Sequence, residues 1–433
     1  MDLCVMDQPG KAGPLRVSAS SDSRANGGPL GRRFISRTSV CYKPETKATR
    51  GSFLHQSTNH LLPAELDRQD EQFYRAFFLL GCAIDQFAFP GAAVAIAHRG
   101  KLVAVKGMGR FTYDLESPPV KPDTIYDLAS ITKVIATTPA CMLLYERGKL
   151  DLEQPLVDVL PEFAGPSSSR PGSSKNDPRR CKVTMRMLLA HSSGLPAYIK
   201  LFQTAHNKEE LIQQALRVPL TVDPGTRTEY SDIGFILLGQ ALERLIGEPL
   251  DRFCQREIFS RLGLSRMTFC PSEDWKPLIP PTEDDKQFRR RIIQGEVNDE
   301  NAYVMGGVAA HAGCFSTASD VSVFAQCMLQ PSQQGTPLVR LQTVEIFTRR
   351  EDFPPGTSRA LGWDTPSQPS QSGKYFSSRS YGHLGYTGTS LWIDPERQLS
   401  ITLLTNRTWP DRSAQAIKNL RPIFHDAVVE ALR

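Results

Sequence analysis

Strand patterns lie near both ends of this chain, and helical patterns fill the stretch between them. Near the N-terminal end, Pro90-Gly91-Ala92-Ala93-Val94-Ala95-Ile96-Ala97-His98-Arg99-Gly100-Lys101-Leu102-Val103-Ala104-Val105 sets two apolar runs about an Arg-Gly turn, which is a β-hairpin signal. Near the other end, residues 391–405 read as two strands about Pro395-Glu396-Arg397, followed by a helix from Ser413. Two separated hairpins with helices between them predict an α+β fold, in which one antiparallel sheet joins the N- and C-terminal segments and helices flank it.

The middle supplies the helices. Residues 64–87 are amphipathic and read as one helix. Residues 134–145 are helical, but Pro139 lies inside them and predicts a kink or a late start. Residues 183–268 carry helical patterns broken by Gly194, Pro196, Pro224 and Gly225, with the strongest over 235–246; 320–329 is a further helix. The Pro/Ser/Arg-rich 164–180 reads as a surface loop and the polar 270–296 as a long irregular excursion. Residues 1–62 are rich in Gly, Ser, Arg and Pro and read as a disordered tail. The rest, 63–433, forms one domain, with its α/β part at about 63–130 and 318–433 and its helical part at about 131–317.

Composition excludes some classes of function. The net charge of +5 comes largely from scattered arginines rather than a basic face, so no nucleic-acid partner is expected. No run approaches the roughly 18 apolar residues that span a bilayer, and no signal-peptide core precedes the tail. As written, the chain is expected in the cytoplasm, with no membrane partner; a different start would reopen export. Nine cysteines, an odd number without C-x-x-C pairs, fit free thiols in a reducing compartment better than a disulfide framework. Nothing in their spacing suggests zinc, and no cofactor is expected. Oligomeric state is left open.

Ser130-Ile131-Thr132-Lys133 is the only Ser-x-x-Lys in the chain. On a helix, residues i and i+3 share a face, so this spacing sets a nucleophile beside a base. Alone, it is equally an N-cap serine and a surface lysine. Acyl transfer needs further parts: a route for the proton, an oxyanion hole and groups that place the substrate. Tyr230, after the Pro224-Gly225 turn and just before a helical stretch, is a candidate for the first.

With these segments in view, the chain resembles the class C β-lactamase and penicillin-binding-protein group of serine hydrolases. Asp127 to Lys133 resembles its first motif and Leu188 to Pro196 a signature stretch between motifs. The segment Pro224 to Gly239 is similar to its Tyr-x-Asn region, and Gly306 to Thr317 to a segment of the wider family. Gly382 to Thr389, ahead of Ile393-Asp394-Pro395-Glu396, resembles its third motif. The likeness runs from about residue 70 to 430 in the family's order. It implies a β-lactamase/transpeptidase-like fold and a small-molecule acyl substrate. It implies Ser130 as nucleophile, Lys133 as its partner, and Tyr230 as proton shuttle to the leaving group. The N–H groups of Ser130 and Tyr386 would form the oxyanion hole, and His383, with Gly385, takes the place of the lysine in Lys-Thr-Gly. Tyr386-Thr387-Gly388 is an alternative register for that motif.

Two departures matter physically. Asp232 stands where the family has asparagine, and an aspartate there would keep Lys133 protonated unless paired elsewhere. His383 replaces a permanent cation with a group largely neutral at pH 7, which weakens the grip on a substrate carboxylate. Esters, amides and D-amino-acid peptides are therefore expected ahead of efficient β-lactam hydrolysis. A non-hydrolytic acyl-binding sensor and an acyltransferase are the alternatives. His191 and His311 read as structural. Glu296, Asp299 and Glu300 read as a solvated acidic patch, in which Asp299 could cap a helix.

Overall fold

A computed structural model describes residues 62–165, 177–330 and 338–433. The expected tail, except Leu62, and most of the 164–180 loop lie outside them.

Both end hairpins form as expected and meet in one sheet. Strands β1 (Gly91–His98) and β2 (Lys101–Gly109) turn through Arg99 and Gly100, both at positive φ, as a tight two-residue hairpin requires. From the C-terminal region come β3 (Tyr381–Leu384), β4 (Ser390–Asp394) and β5 (Leu399–Thr405). The order is β2-β1-β5-β4-β3, antiparallel throughout, and Val94 pairs with Leu403 where the two ends join. The β4–β5 turn is held by the buried Asp394 carboxylate, which accepts from the N–H groups of Glu396 and Arg397 and from Ser377.

Alternation along β1 explains how both sheet faces are buried. Ala92, Val94 and Ile96 face one apolar cluster with Ile401, Leu403 and Trp392, closed by helices α1 (Tyr74–Asp85) and α5 (Ile417–Ala431). Ala93, Ala95 and Ala97 face the larger cluster, which takes in α2 (Thr138–Glu146), α3 (Asp232–Ile246) and α4 (Ala318–Leu329). Their small side chains leave room for α4 against the sheet. The expected single helix over 64–87 is broken: a short turn over Gln69–Gln72 precedes α1, and Tyr74 and Phe78 stack on the exposed side of α1. The 270–296 stretch is more regular than expected. It holds a helical turn (Glu273–Leu278) and a two-stranded hairpin, Glu283–Asp285 with Arg291–Ile293. Among the described residues no helix is long and apolar enough to cross a membrane, and the seven described cysteines are free thiols.

Truncating Ile401, fully buried between β1 and β4, should cost about 3 kcal/mol as Ile401→Ala, whereas Leu115→Ala, at an exposed loop position, should stay within about 0.5 kcal/mol. Urea unfolding midpoints of the two variants check the contrast.

Candidate active site

Ser130 follows a sharp turn that the surroundings hold in place. The short strand Tyr126–Asp127 pairs with Cys314–Ser316, and the chain then passes Ala129 at φ +46°, a conformation uncommon for a residue with a Cβ. Asp127 pins the turn by accepting from the Ala129 N–H at 2.8 Å and the Asn298 N–H at 2.6 Å. Burial pushes the Asp127 carboxyl up to about 6, and those two N–H groups oppose the shift. A 3-10 turn (Ala129–Ile131) and a π-helical turn (Lys133–Thr137) follow before α2 becomes regular, with Pro139 in its first turn. The late start that Pro139 predicts is what forms; single π-turns inside helices often mark functional sites.

Lys133 is fully buried, and all three of its N–H groups are used. They reach Ser130 Oγ at 3.1 Å, Asp232 Oδ1 at 2.7 Å and the His311 carbonyl at 3.0 Å. Burial alone would lower the lysine's pKa, but Asp232 and then Tyr230 outweigh it and raise it. The lysine is thus a held cation with no free lone pair. Of the two fates expected for Asp232, the structure has the ion pair with Lys133.

Tyr230 reaches the same oxygen, its hydroxyl donating to Ser130 Oγ at 2.8 Å. The 188–196 segment positions it. Gly225, at φ +80°, donates to the Ser192 carbonyl, and the Glu229 N–H donates to the His191 carbonyl. The Ser231 N–H donates to His191 Nδ1, and the Ser231 hydroxyl caps α3. The His191 ring lies 4.6 Å from that of Tyr230 and packs beside it. Burial raises the Tyr230 pKa, Lys133 opposes this, and the phenol stays protonated.

The structure separates the two registers of the third motif. His383, on β3, faces Tyr230 with ring centroids 5.8 Å apart, whereas the Tyr386 ring is 46% exposed, between Arg407 and Arg412. His383 Nδ1 donates to the Leu384 carbonyl at 2.7 Å, which leaves Nε2 a buried, unpartnered acceptor. At Gly385 a Cβ would stand 2.6 Å from the Leu128 carbonyl, so only glycine lets this strand end approach the Ser130 turn so closely. Thr387 and Thr389 hydroxyls donate to the carbonyls of Asp127 and Leu128 and stitch the two segments together. The backbone N–H groups of Ser130 and Tyr386 find no acceptor among the described residues.

Three neighbours of the site went unassigned in the sequence. The Arg359 guanidinium lies 5.3 Å from the Tyr230 ring centroid, and its nearest carboxylate, Asp364, is 3.8 Å away. It is a permanent cation close to where His383 fails to supply one; that missing charge was the only signal for it. Asp299 and Glu300 are not a solvated patch. Asp299 caps the helix Glu300–Val304 and also contacts His311; Glu300 pairs with Arg412.

This fold, with serine, lysine and tyrosine joined at one oxygen, defines a class of acyl-transferring serine enzyme, and the comparisons agree. The chain belongs to the beta-lactamase family, whose model matches residues 80–421, and it is a serine hydrolase. It is 33% identical to the N-acetylmuramyl-L-alanine amidase of Bacillus subtilis, over 74% of this chain and 77% of that one. It is 34% identical to a "Putative D-alanyl-D-alanine carboxypeptidase" of Escherichia coli K12, over 74% and 79%. Among solved structures it is similar in fold to EstCE1, a hydrolase with promiscuous acyltransferase activity (TM-score 0.65, 18% identity, 83% of this chain and 99% of that one). It is also similar in fold to a class C beta lactamase from Rhodobacter sphaeroides (TM-score 0.63, 21% identity, 84% and 100%).

Three buried imidazoles set a pH dependence: His191 and His383 at the site, and His425 on α5, which burial pulls down to about 3. Burial first, then nearby Lys133 and Arg359, hold His191 and His383 well below the ordinary 6.5. Below pH 6.5 the unfolded chain therefore binds protons that the folded one refuses; stability is full above 6.5 and is lost as pH falls. Asp127, raised from 3.8 to about 6, works in the opposite direction between those values. His383→Gln should remove part of the loss of stability between about pH 6.5 and 5, leaving the part due to His191 and His425, read from urea midpoints across that range.

Proposed function

We propose that this hydrolase works through an acyl-enzyme on Ser130 and cleaves small amides or peptides that end in a carboxylate, with D-amino-acid peptides favoured over plain esters. The contact of Ser130 Oγ with both Tyr230 and Lys133 carries the first half of this reading. Ser130 attacks the carbonyl while the two unpartnered N–H groups, of Ser130 and Tyr386, receive the oxyanion. Lys133 cannot accept a proton while its three N–H groups are held, so it acts as a fixed charge. Tyr230 passes its phenolic proton to the leaving group as it takes that of Ser130, which avoids a free phenolate. Water then releases the acyl group, with Tyr230 and the bare His383 Nε2 as the available acceptors.

Arg359 carries the second half. A neutral His383 argues against carboxylate substrates, but a guanidinium beside it, loosely paired and always charged, matches a carboxylate fork. The names of the two relatives, an amidase and a carboxypeptidase, support an amide bond as the target, and only the second, a D-alanyl-D-alanine carboxypeptidase, supports D-amino-acid peptides.

Ser130→Ala should lower turnover by at least about 10,000-fold, and a fluorophosphonate should label only the wild type, at Ser130. A wild type that is never labelled ends the reading, and a burst followed by a stable adduct would replace it with the acyl-binding sensor. Arg359→Gln should reduce kcat/KM for D-Ala-D-Ala peptides by roughly 30-fold or more, while p-nitrophenyl acetate hydrolysis changes less than about threefold. Equal losses on both substrates would remove the carboxylate assignment.

A further inference from the structure

The third N–H of Lys133 goes to a carbonyl on a loop that has little stiffness of its own. That loop carries Gly306, Gly307 and Gly313, all at positive φ, and the His311 carbonyl lies between them. Backbone bonds and the Cys270 thiol hold its first residues, and two side-chain bonds hold the 310–311 stretch. The Ala310 carbonyl accepts from Thr137 Oγ1 at 2.7 Å, on the same π-turn as Lys133. The His311 ring, 1% exposed, places Nε2 2.9 Å from Asp299 Oδ1, which also accepts from the Ala302 N–H at 2.7 Å and so is fixed to a helix end.

Packing alone does not account for this histidine. Its Nδ1 is buried without a partner, at a desolvation cost that an apolar ring would avoid. The bond to Asp299 is what offsets that cost. We propose that Asp299 and His311 are a positioning pair for Lys133: their hydrogen bond fixes the loop carbonyl that takes the lysine's third N–H, and so aims the ammonium at Ser130 Oγ and Asp232. The inference rests on Ser130 being the nucleophile.

The pair acts through the lysine rather than on substrate. A free lysine side chain has four rotors and about 2 kcal/mol of rotamer entropy. With the His311 carbonyl displaced, Nζ keeps two acceptors and can swing toward Asp232, its charged partner. The contact that weakens is the longest one, to Ser130 Oγ at 3.1 Å. Serine reactivity falls, while substrate anchoring at His383 and Arg359 is untouched.

The test is the rate of fluorophosphonate labelling at Ser130, followed by intact mass, beside kcat and KM for p-nitrophenyl acetate. In His311→Phe, which keeps a ring but not the bond, labelling and kcat should both fall about 10- to 100-fold with KM within about twofold. His311→Gln, whose amide can donate to Asp299, should recover to within about threefold of wild type. The double variant His311→Phe with Asp299→Ala should be no slower than the slower single one, because one bond is lost in each. If His311→Phe does not fold, Asp299→Ala, which leaves the imidazole in place, is read by the same criteria. Folded variants labelled at the wild-type rate, or no recovery with glutamine, overturn the pair while leaving the Ser130 reading intact. An unlabelled wild type overturns both, and is told apart by the absence of any adduct.

Discussion

A single buried ammonium organises this molecule. Removing an unpaired charge from water costs several kcal/mol, so Lys133 can be buried only where other segments bring acceptors to it. One acceptor lies in its own turn, at Ser130; the others come from Asp232 at the start of α3 and from the 306–313 loop. None of these segments is near another in sequence, so the contact exists only where the helical middle of the chain packs together. Breaking such a pair from one side leaves an uncompensated charge, typically 3–5 kcal/mol, so the site and the fold are mutually dependent.

That ammonium also bears on the protonation of its neighbours. Burial is the main cause that lowers both imidazoles, Lys133 and Arg359 add to it, and Lys133 opposes the burial that raises Tyr230. The site therefore holds two fixed cations, Lys133 and Arg359, around a protonated phenol and two neutral rings. Of these groups the phenol can both donate and accept a hydrogen bond, whereas the two cations only donate.

Much of this was legible in the sequence where a local rule decides the structure. Apolar runs on either side of Arg99-Gly100 and of Pro395-Glu396-Arg397 announced both hairpins, and Pro139 the start of α2. The order of motifs located Ser130, Lys133, Tyr230 and His383, and spacing to the last hairpin chose the register that the His383 ring adopts. Local rules failed where distant contacts decide. The 283–293 hairpin has charged strands with no alternation to announce it. Asp299 reads as one of three acidic residues until the fold sets it against His311. Arg359 has no motif around it, and its relevance follows only from its distance to Tyr230.

The two departures from the family pattern, aspartate for asparagine and histidine for lysine, are coupled by charge. Each makes the site one unit less positive, two in all at neutral pH. Arg359 returns one unit from a different segment. The difference is spent beside Lys133, where Asp232 secures the protonated lysine that a buried site would otherwise tend to neutralise. Asparagine in its place would let desolvation prevail and free a lone pair for use as a base. Position 232 thus sets the charge held beside Lys133, and Arg359, rather than the strand edge at 383, is the second permanent cation near Tyr230.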